Sequence, residues 1–181
     1  MKIKKDIIYI LIIIGLVGLT GQIYYSYKYL PAHQIAVYYN HDRELNKEIT
    51  GIIRDADKFV YFAVYTFTRQ DIKDALLGAK YRGLTVIGLT DRDQLAQLDQ
   101  QKQIIKELRD AGIPVYEQDH LGIMHTKVVV TEKAYASGSF NWTSAATNLN
   151  DEVLEVGSDP VLRAEYQKIL EEMFQKYQTS G

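Results

Sequence analysis

Met124-His125-Thr126-Lys127-Val128-Val129-Val130-Thr131 sets three consecutive valines behind a polar head. β-branched side chains crowd a helix and suit a pleated, buried surface, so residues 124–131 are predicted to be a strand. Side chains two apart on a strand share a face. His125 and Lys127 are therefore expected to project together, from a strand that the valines anchor in the core.

Reading outward, strands and helices alternate. Residues 34–39 read as a strand. Residues 43–56 read as an amphipathic helix, with Leu45, Ile49, Ile52 and Ile53 on one stripe. Residues 58–66 form a buried Val/Tyr/Phe strand. Thr68-Arg69-Gln70-Asp71 resembles a capping box opening a helix that ends near Gly83. A strand at 84–89 runs into polar Asp91-Arg92-Asp93, read as a solvated loop. The Gln-rich 94–102 stretch reads as an exposed loop or helix start, followed by a helix over 102–111 with Gly112 as its C-cap. A short strand is expected at 113–117. Downstream, 134–138 pairs with the valine strand as a hairpin, and 142–147 is a short helix. Residues 152–156 form a strand and 160–177 a closing helix. Repeated strand–helix–strand units predict an α/β fold, with a mixed, largely parallel sheet flanked by helices.

The chemistry concentrates around the valine strand. An ammonium beside an imidazole makes a phosphate site: Lys127 attracts the anion and stabilises charge developing on its oxygens. A free imidazole titrates near pH ~6.5, which leaves a neutral fraction able to attack phosphorus. Gly138-Ser139-Phe140-Asn141 follows. Gly138 would let the backbone approach a ligand closely, and Ser139 and Asn141 offer hydroxyl and amide donors. Glu152 could hold the second ring nitrogen of His125.

His125-x-Lys127 with Glu132 after four spacers, then Gly138-Ser139-x-Asn141, resembles the H-x-K-x4-D…G-S-x-N signature of the phospholipase D superfamily. The likeness extends upstream through residues 61–91 and downstream through Asn148-Leu149-Asn150-Asp151-Glu152, so residues from about 34 to 177 are covered. It is strongest to the short bacterial nucleases that carry one motif per chain. The resemblance implies a homodimer with the active site on the two-fold axis. One His125 attacks phosphorus to form a phosphohistidine, and the partner's His125 protonates the leaving oxygen. Lys127 and Asn141 grip the phosphate, Ser139 assists, and Glu152 orients the imidazole. It implies no metal and no other cofactor. The substrate is read as DNA or RNA, with phospholipid head groups as the alternative. The departure is Glu132, where the family has Asp; it is read as structural.

Each residue also has a bland reading. Lys127 alone would be a strand-end charge, Ser139 and Asn141 turn residues, and Glu152 a salt-bridge partner. Asp119, His120 and His125 lack the spacing of a zinc motif. His33 and His41 are read as surface residues, and Tyr65-Thr66-Phe67-Thr68 as a neighbour of the site without a catalytic role.

The absence of cysteine excludes disulfides, thiolate zinc sites and cysteine nucleophiles. A net charge of −2 argues against a globally basic nucleic-acid binder, so any phosphate site must be local. Residues 7–27 carry no charge and follow Lys2, Lys4 and Lys5. That run approaches the ~20 residues that span a bilayer. Tyr24, Tyr25, Tyr27 and Tyr29 would form an interfacial belt. Residues 1–30 are thus expected to anchor the chain with Met1 in the cytoplasm and a catalytic domain, 31–181, on the outer side. A cleaved signal peptide is the alternative, although Gly18-Leu19-Thr20 supplies no Ala-x-Ala site.

Overall fold

The computed structural model describes residues 15–21, 35–41 and 44–178. Residues 15–21 are helical and belong to a unit of their own, separate from the unit that begins at His33. Most of the expected anchor lies outside the described residues. Among those described, no helix is long and apolar enough to cross a membrane.

In the second unit the described strands form one seven-stranded sheet. In chain order the elements are β1 (Ile35–Tyr39), α1 (Leu45–Asp55), β2 (Phe59–Val64), α2 (Gln70–Tyr81), β3 (Thr85–Asp91), α3 (Arg92–Gln97) and α4 (Asp99–Asp110). They continue with β4 (Val115–Gln118), β5 (Lys127–Thr131), β6 (Tyr135–Gly138), α5 (Ser144–Asn148), β7 (Val153–Gly157) and α6 (Pro160–Tyr177). The sheet order is β1-β7-β6-β5-β2-β3-β4.

Of the pairings between these strands, β2–β3 and β3–β4 are parallel; β1–β7, β7–β6, β6–β5 and β5–β2 are antiparallel. The sheet is mixed, but it is not largely parallel. A parallel pair needs a long crossover, and helices supply one only between β2 and β4. The short link between β5 and β6 makes a hairpin, and the later strands continue antiparallel.

Both faces of the central strands are buried, which explains their unbroken apolar runs. Val60, Phe62 and Val64 of β2 face a core shared with α1, α2 and α4, through Leu45, Ile53, Ile72, Leu76, Ile104 and Leu108. Ala63 of β2 points the other way, toward Val128, Val130, Tyr135 and the α6 residues Leu170, Phe174 and Tyr177. The expected capping box does not form: Arg69 is the N-cap of α2 and makes no side-chain cap. Asp71 is instead gripped by Arg69 and by the Asn46 amide. Gly112 does close α4, with φ +77°, and its N–H donates to the Arg109 carbonyl.

Glu132 sits in the hairpin turn and accepts the backbone N–H groups of Asp57, Lys58 and Phe59 at 2.7, 3.2 and 3.4 Å. Burial pushes its carboxyl up, but those donors together with its own backbone N–H outweigh it and hold it below the usual carboxylate range. Gly138 is held to a small residue by its neighbour in the sheet. A Cβ there would lie 2.2 Å from the Val153 carbonyl oxygen, so β7 passes close against it. Neither backbone can retreat without breaking the β6–β7 ladder. Gly138→Ala is therefore expected to cost about 2 kcal/mol or more, as overpacking does. Equilibrium urea unfolding checks this; a variant as stable as the parent would contradict the contact.

Candidate active site

The topology gathers one set of strand ends. β2, β3 and β4 end where β5 begins, because β5 runs antiparallel to β2 with Lys127 opposite Val64. β6 and β1 also end there, and β7 begins there. Tyr65, Asp91, Gln118, Lys127, Ser139, Glu152 and Asn40 therefore share one edge of the sheet. Ligands of open α/β sheets collect outside such carboxyl ends.

Lys127 is the first residue of β5 and His125 lies just before the strand, not on it. The two still meet, by a different route from shared-face projection. The Lys127 ammonium donates to the His125 carbonyl at 2.7 Å. It also sits 5.1 Å from the centroid of the Tyr65 ring, while the His125 ring packs edge-on against Tyr65 at 4.7 Å. Lys127 is only 4% exposed, whereas His125 faces solvent. Burial pushes the Lys127 ammonium down to about 8, against an upward pull from the Glu152 charge.

Ser139 and Glu152 form a second cluster. The Ser139 hydroxyl donates to the Glu152 carboxylate in a short hydrogen bond and accepts the Val153 N–H at 3.2 Å. The Asn150 amide donates to the other Glu152 oxygen at 3.1 Å. Glu152 thus holds Ser139 and Asn150 and makes no hydrogen bond to the His125 ring among the described residues. Asn141 accepts the Thr66 N–H through its side-chain oxygen at 3.3 Å, which leaves its NH₂ as a donor. The Trp142 backbone, one residue on, bonds to Thr66, Thr68 and Arg69, and its ring is buried against Phe62 and Phe67. That indole fixes the 65–69 segment against the 139–142 segment.

Several supporting residues escape a reading of the sequence. Buried Gln101 donates to the Tyr65 carbonyl at 3.2 Å and accepts the Phe67 N–H at 2.9 Å, and nothing in its local pattern signals this. Asn40 bonds the backbone of Ala146, Asn150 and Glu152. Asp91 is fully buried and not a solvated loop residue. A signal for it exists, because Asp91-x-x-Gln94 after a buried strand is a helix-start pattern, and Asp91 caps α3 by accepting the Gln94 N–H at 2.8 Å. His41 is exposed, stacks on Tyr39, and lies 3.1 Å from Asp151. His33 lies outside the described residues. Asp119, His120 and His125 do not converge: among the described residues no three His, Asp or Glu side chains form a metal-binding group.

Residues 49–174 match the family described as cardiolipin synthase, PLD-like domain. The chain belongs to the phospholipase D superfamily. A mitochondrial cardiolipin hydrolase of Chlamydomonas reinhardtii is 29% identical over 140 residues, covering 77% of this chain and 61% of that protein. A phospholipase D of Rickettsia prowazekii is 30% identical over 159 residues, covering 87% of this chain and 75% of that protein. The crystal structure of a phospholipase D family member, Nuc from Salmonella typhimurium, superposes with a TM-score of 0.74 at 25% identity, covering 79% of this chain and 95% of that one. The chain spans less than two thirds of the length of the cardiolipin hydrolases it matches.

For this member of the superfamily, the Lys127 environment makes a direct expectation. The Cε resonance of Lys127 should titrate near pH 8, well below the ordinary lysine value of about 10.4. Glu152→Gln should move the midpoint lower still, because the lost carboxylate was holding the proton on. NMR of selectively labelled protein reads both; a midpoint at the ordinary lysine value would show that the ammonium is hydrated.

Proposed function

We propose that the chain is a phosphodiesterase that works through His125 without a metal, as a homodimer. The observation that carries this reading is the pairing of a buried Lys127 ammonium with the backbone of an exposed His125. A desolvated cation attracts an anion strongly, and it has its nucleophile alongside. Each chain has one such pair, so two copies around a two-fold axis supply a nucleophile and an acid.

In the first step a ring nitrogen of one His125 bonds to phosphorus, and the bond to the leaving oxygen breaks. The partner's His125 gives its proton to that oxygen. In the second step the partner's His125 takes a proton from water, the hydroxide bonds to phosphorus, and the nitrogen–phosphorus bond breaks. Lys127 and the Asn141 NH₂ bind the non-bridging oxygens, and Ser139 assists. Glu152 holds Ser139 and Asn150, and its remaining accepting capacity orients the imidazole.

Nucleic acid is the substrate favoured by the resemblance to one-motif nucleases. Phospholipid is the second reading, and one observation favours it specifically. Leu121, Ile123 and Leu149 are exposed on the loops leading into His125 and Glu152. An apolar rim around a phosphate site suits a lipid surface better than a polyanion in water. The uncharged run at residues 7–27 supports a membrane tether with the domain on the outer side.

His125→Ala is expected to lower turnover of bis-p-nitrophenyl phosphate by about 10⁴-fold or more, with the fold unchanged by circular dichroism. The parent should remain active in excess EDTA and run as a dimer by light scattering. Retained turnover in the variant, or activity lost to chelator and restored by zinc, would overturn the mechanism. A parallel assay of single-stranded DNA, duplex DNA, RNA and phospholipid vesicles decides the substrate. Cleavage of vesicles alone would reject the nuclease reading, and cleavage of nucleic acid alone would reject the lipid one.

A further inference from the structure

We propose that Asp91, together with Gln118, is a positioning residue for His125. This rests on His125 being the nucleophile. Three donors converge on the buried Asp91 carboxylate. One oxygen accepts the Gln94 N–H at 2.8 Å. The other accepts the Met124 N–H at 2.8 Å and the Gln118 amide at 3.1 Å. The same Gln118 nitrogen donates to the Gly122 carbonyl at 3.1 Å. The loop leading into His125 is therefore tied down at residues 122 and 124 by one carboxylate and one amide.

Apolar packing does little of this. Leu121 and Ile123 are exposed, and only Met124 is buried. On the other side of His125 the restraints are the Lys127 ammonium on its carbonyl and the Tyr65 N–H on the Thr126 carbonyl at 3.1 Å. Asp91 and Gln118 provide the matching restraint from the N-terminal side. Together the two sets fix the backbone that carries the imidazole.

The clamp depends on the carboxylate accepting at both oxygens. An amide of the same shape has only one accepting oxygen. In Asp91→Asn the new NH₂ must therefore face either the Gln94 N–H or the Met124 N–H, donor against donor. Gln118 could adapt by rotating its own amide, since its side-chain oxygen has no hydrogen-bond partner among the described residues. The Met124 N–H is backbone and cannot. Turned toward Gln94, the NH₂ gives up the α3 cap and leaves the loop restrained, so Asp91→Ala, which removes both accepting oxygens, is the variant that frees the Met124 N–H in every case.

The test is steady-state hydrolysis of bis-p-nitrophenyl phosphate by the full chain. It compares the parent with His125→Ala, Asp91→Ala, Gln118→Leu and Asp159→Ala. Asp159 caps α6 through the Val161 and Leu162 N–H groups, so the same substitution there controls for the loss of a helix cap. Asp91→Ala should lower kcat about tenfold to a hundredfold, the scale of a small misplacement of a catalytic group, with KM within about threefold. Gln118→Leu should follow in the same direction by a smaller factor. The Met124 amide should exchange faster with deuterium in both. Asp159→Ala should lower Tm while keeping kcat. An Asp91→Ala enzyme with parental kcat overturns the proposal, as does a kcat loss in Asp159→Ala equal to that in Asp91→Ala. If Asp91→Ala does not fold, parental kcat in Gln118→Leu overturns it instead. A fully active His125→Ala removes the underlying mechanism. An inert His125→Ala beside a fully active Asp91→Ala removes only the positioning role.

Discussion

The antiparallel ladder between β2 and β5 joins two architectures that would otherwise be separate. On one side of it, β2, β3 and β4 form a parallel half with helical crossovers. On the other, β5, β6, β7 and β1 form an antiparallel half. The register of this single ladder places Lys127 against Val64 and so puts the ammonium beside Tyr65. A one-residue slip would turn every β5 side chain to the opposite face. Val128 and Val129, which serve different cores, would exchange them, and Lys127 would lose its place. Burial on both faces makes that slip costly, so the packing that stabilises the sheet also fixes where Lys127 sits.

Charge is distributed around that site with little redundancy. Lys127 is buried, and among the described residues no carboxylate lies within ion-pair distance of its ammonium; Glu152 is close enough only to raise its pKa. Glu152 itself holds Ser139 and Asn150. A cation kept from pairing is destabilised alone and is relieved by an incoming anion. That differs from Glu132, whose backbone partners satisfy it in the hairpin turn. The two acidic positions of the motif region thus do different work: one closes a turn, the other braces the loop that carries Ser139.

Much of this is legible in the residues. The strands, the hairpin, the closing helix from Pro160 to Tyr177 and the family all follow from local pattern and motif. What local pattern cannot supply is partner choice. Strand–helix–strand alternation argues for parallel pairing, but a tight turn joins β5 to β6, and β7 pairs antiparallel with β6 despite the short helix α5 between them. Asp91 reads as surface because it is charged and followed by Arg92 and Asp93. It is buried because three donors satisfy it, and two of them come from segments far along the chain. Gly138 stands out in the sequence, but the closeness of β7 to it depends on a pairing that the residues do not announce.

The first and last strands of the sheet are each other's partners, with Ile35 opposite Gly157 and Tyr39 opposite Val153. Over a hundred residues separate them, and loop closure on that scale slows folding. On the ribosome, β1 emerges first and has nothing to pair with until β7 is made. Asn40, whose side chain secures Asn150 and Glu152, waits with it. Order of synthesis thus makes the acidic side of the site its last part to set, after the ladder carrying Lys127 can already have formed.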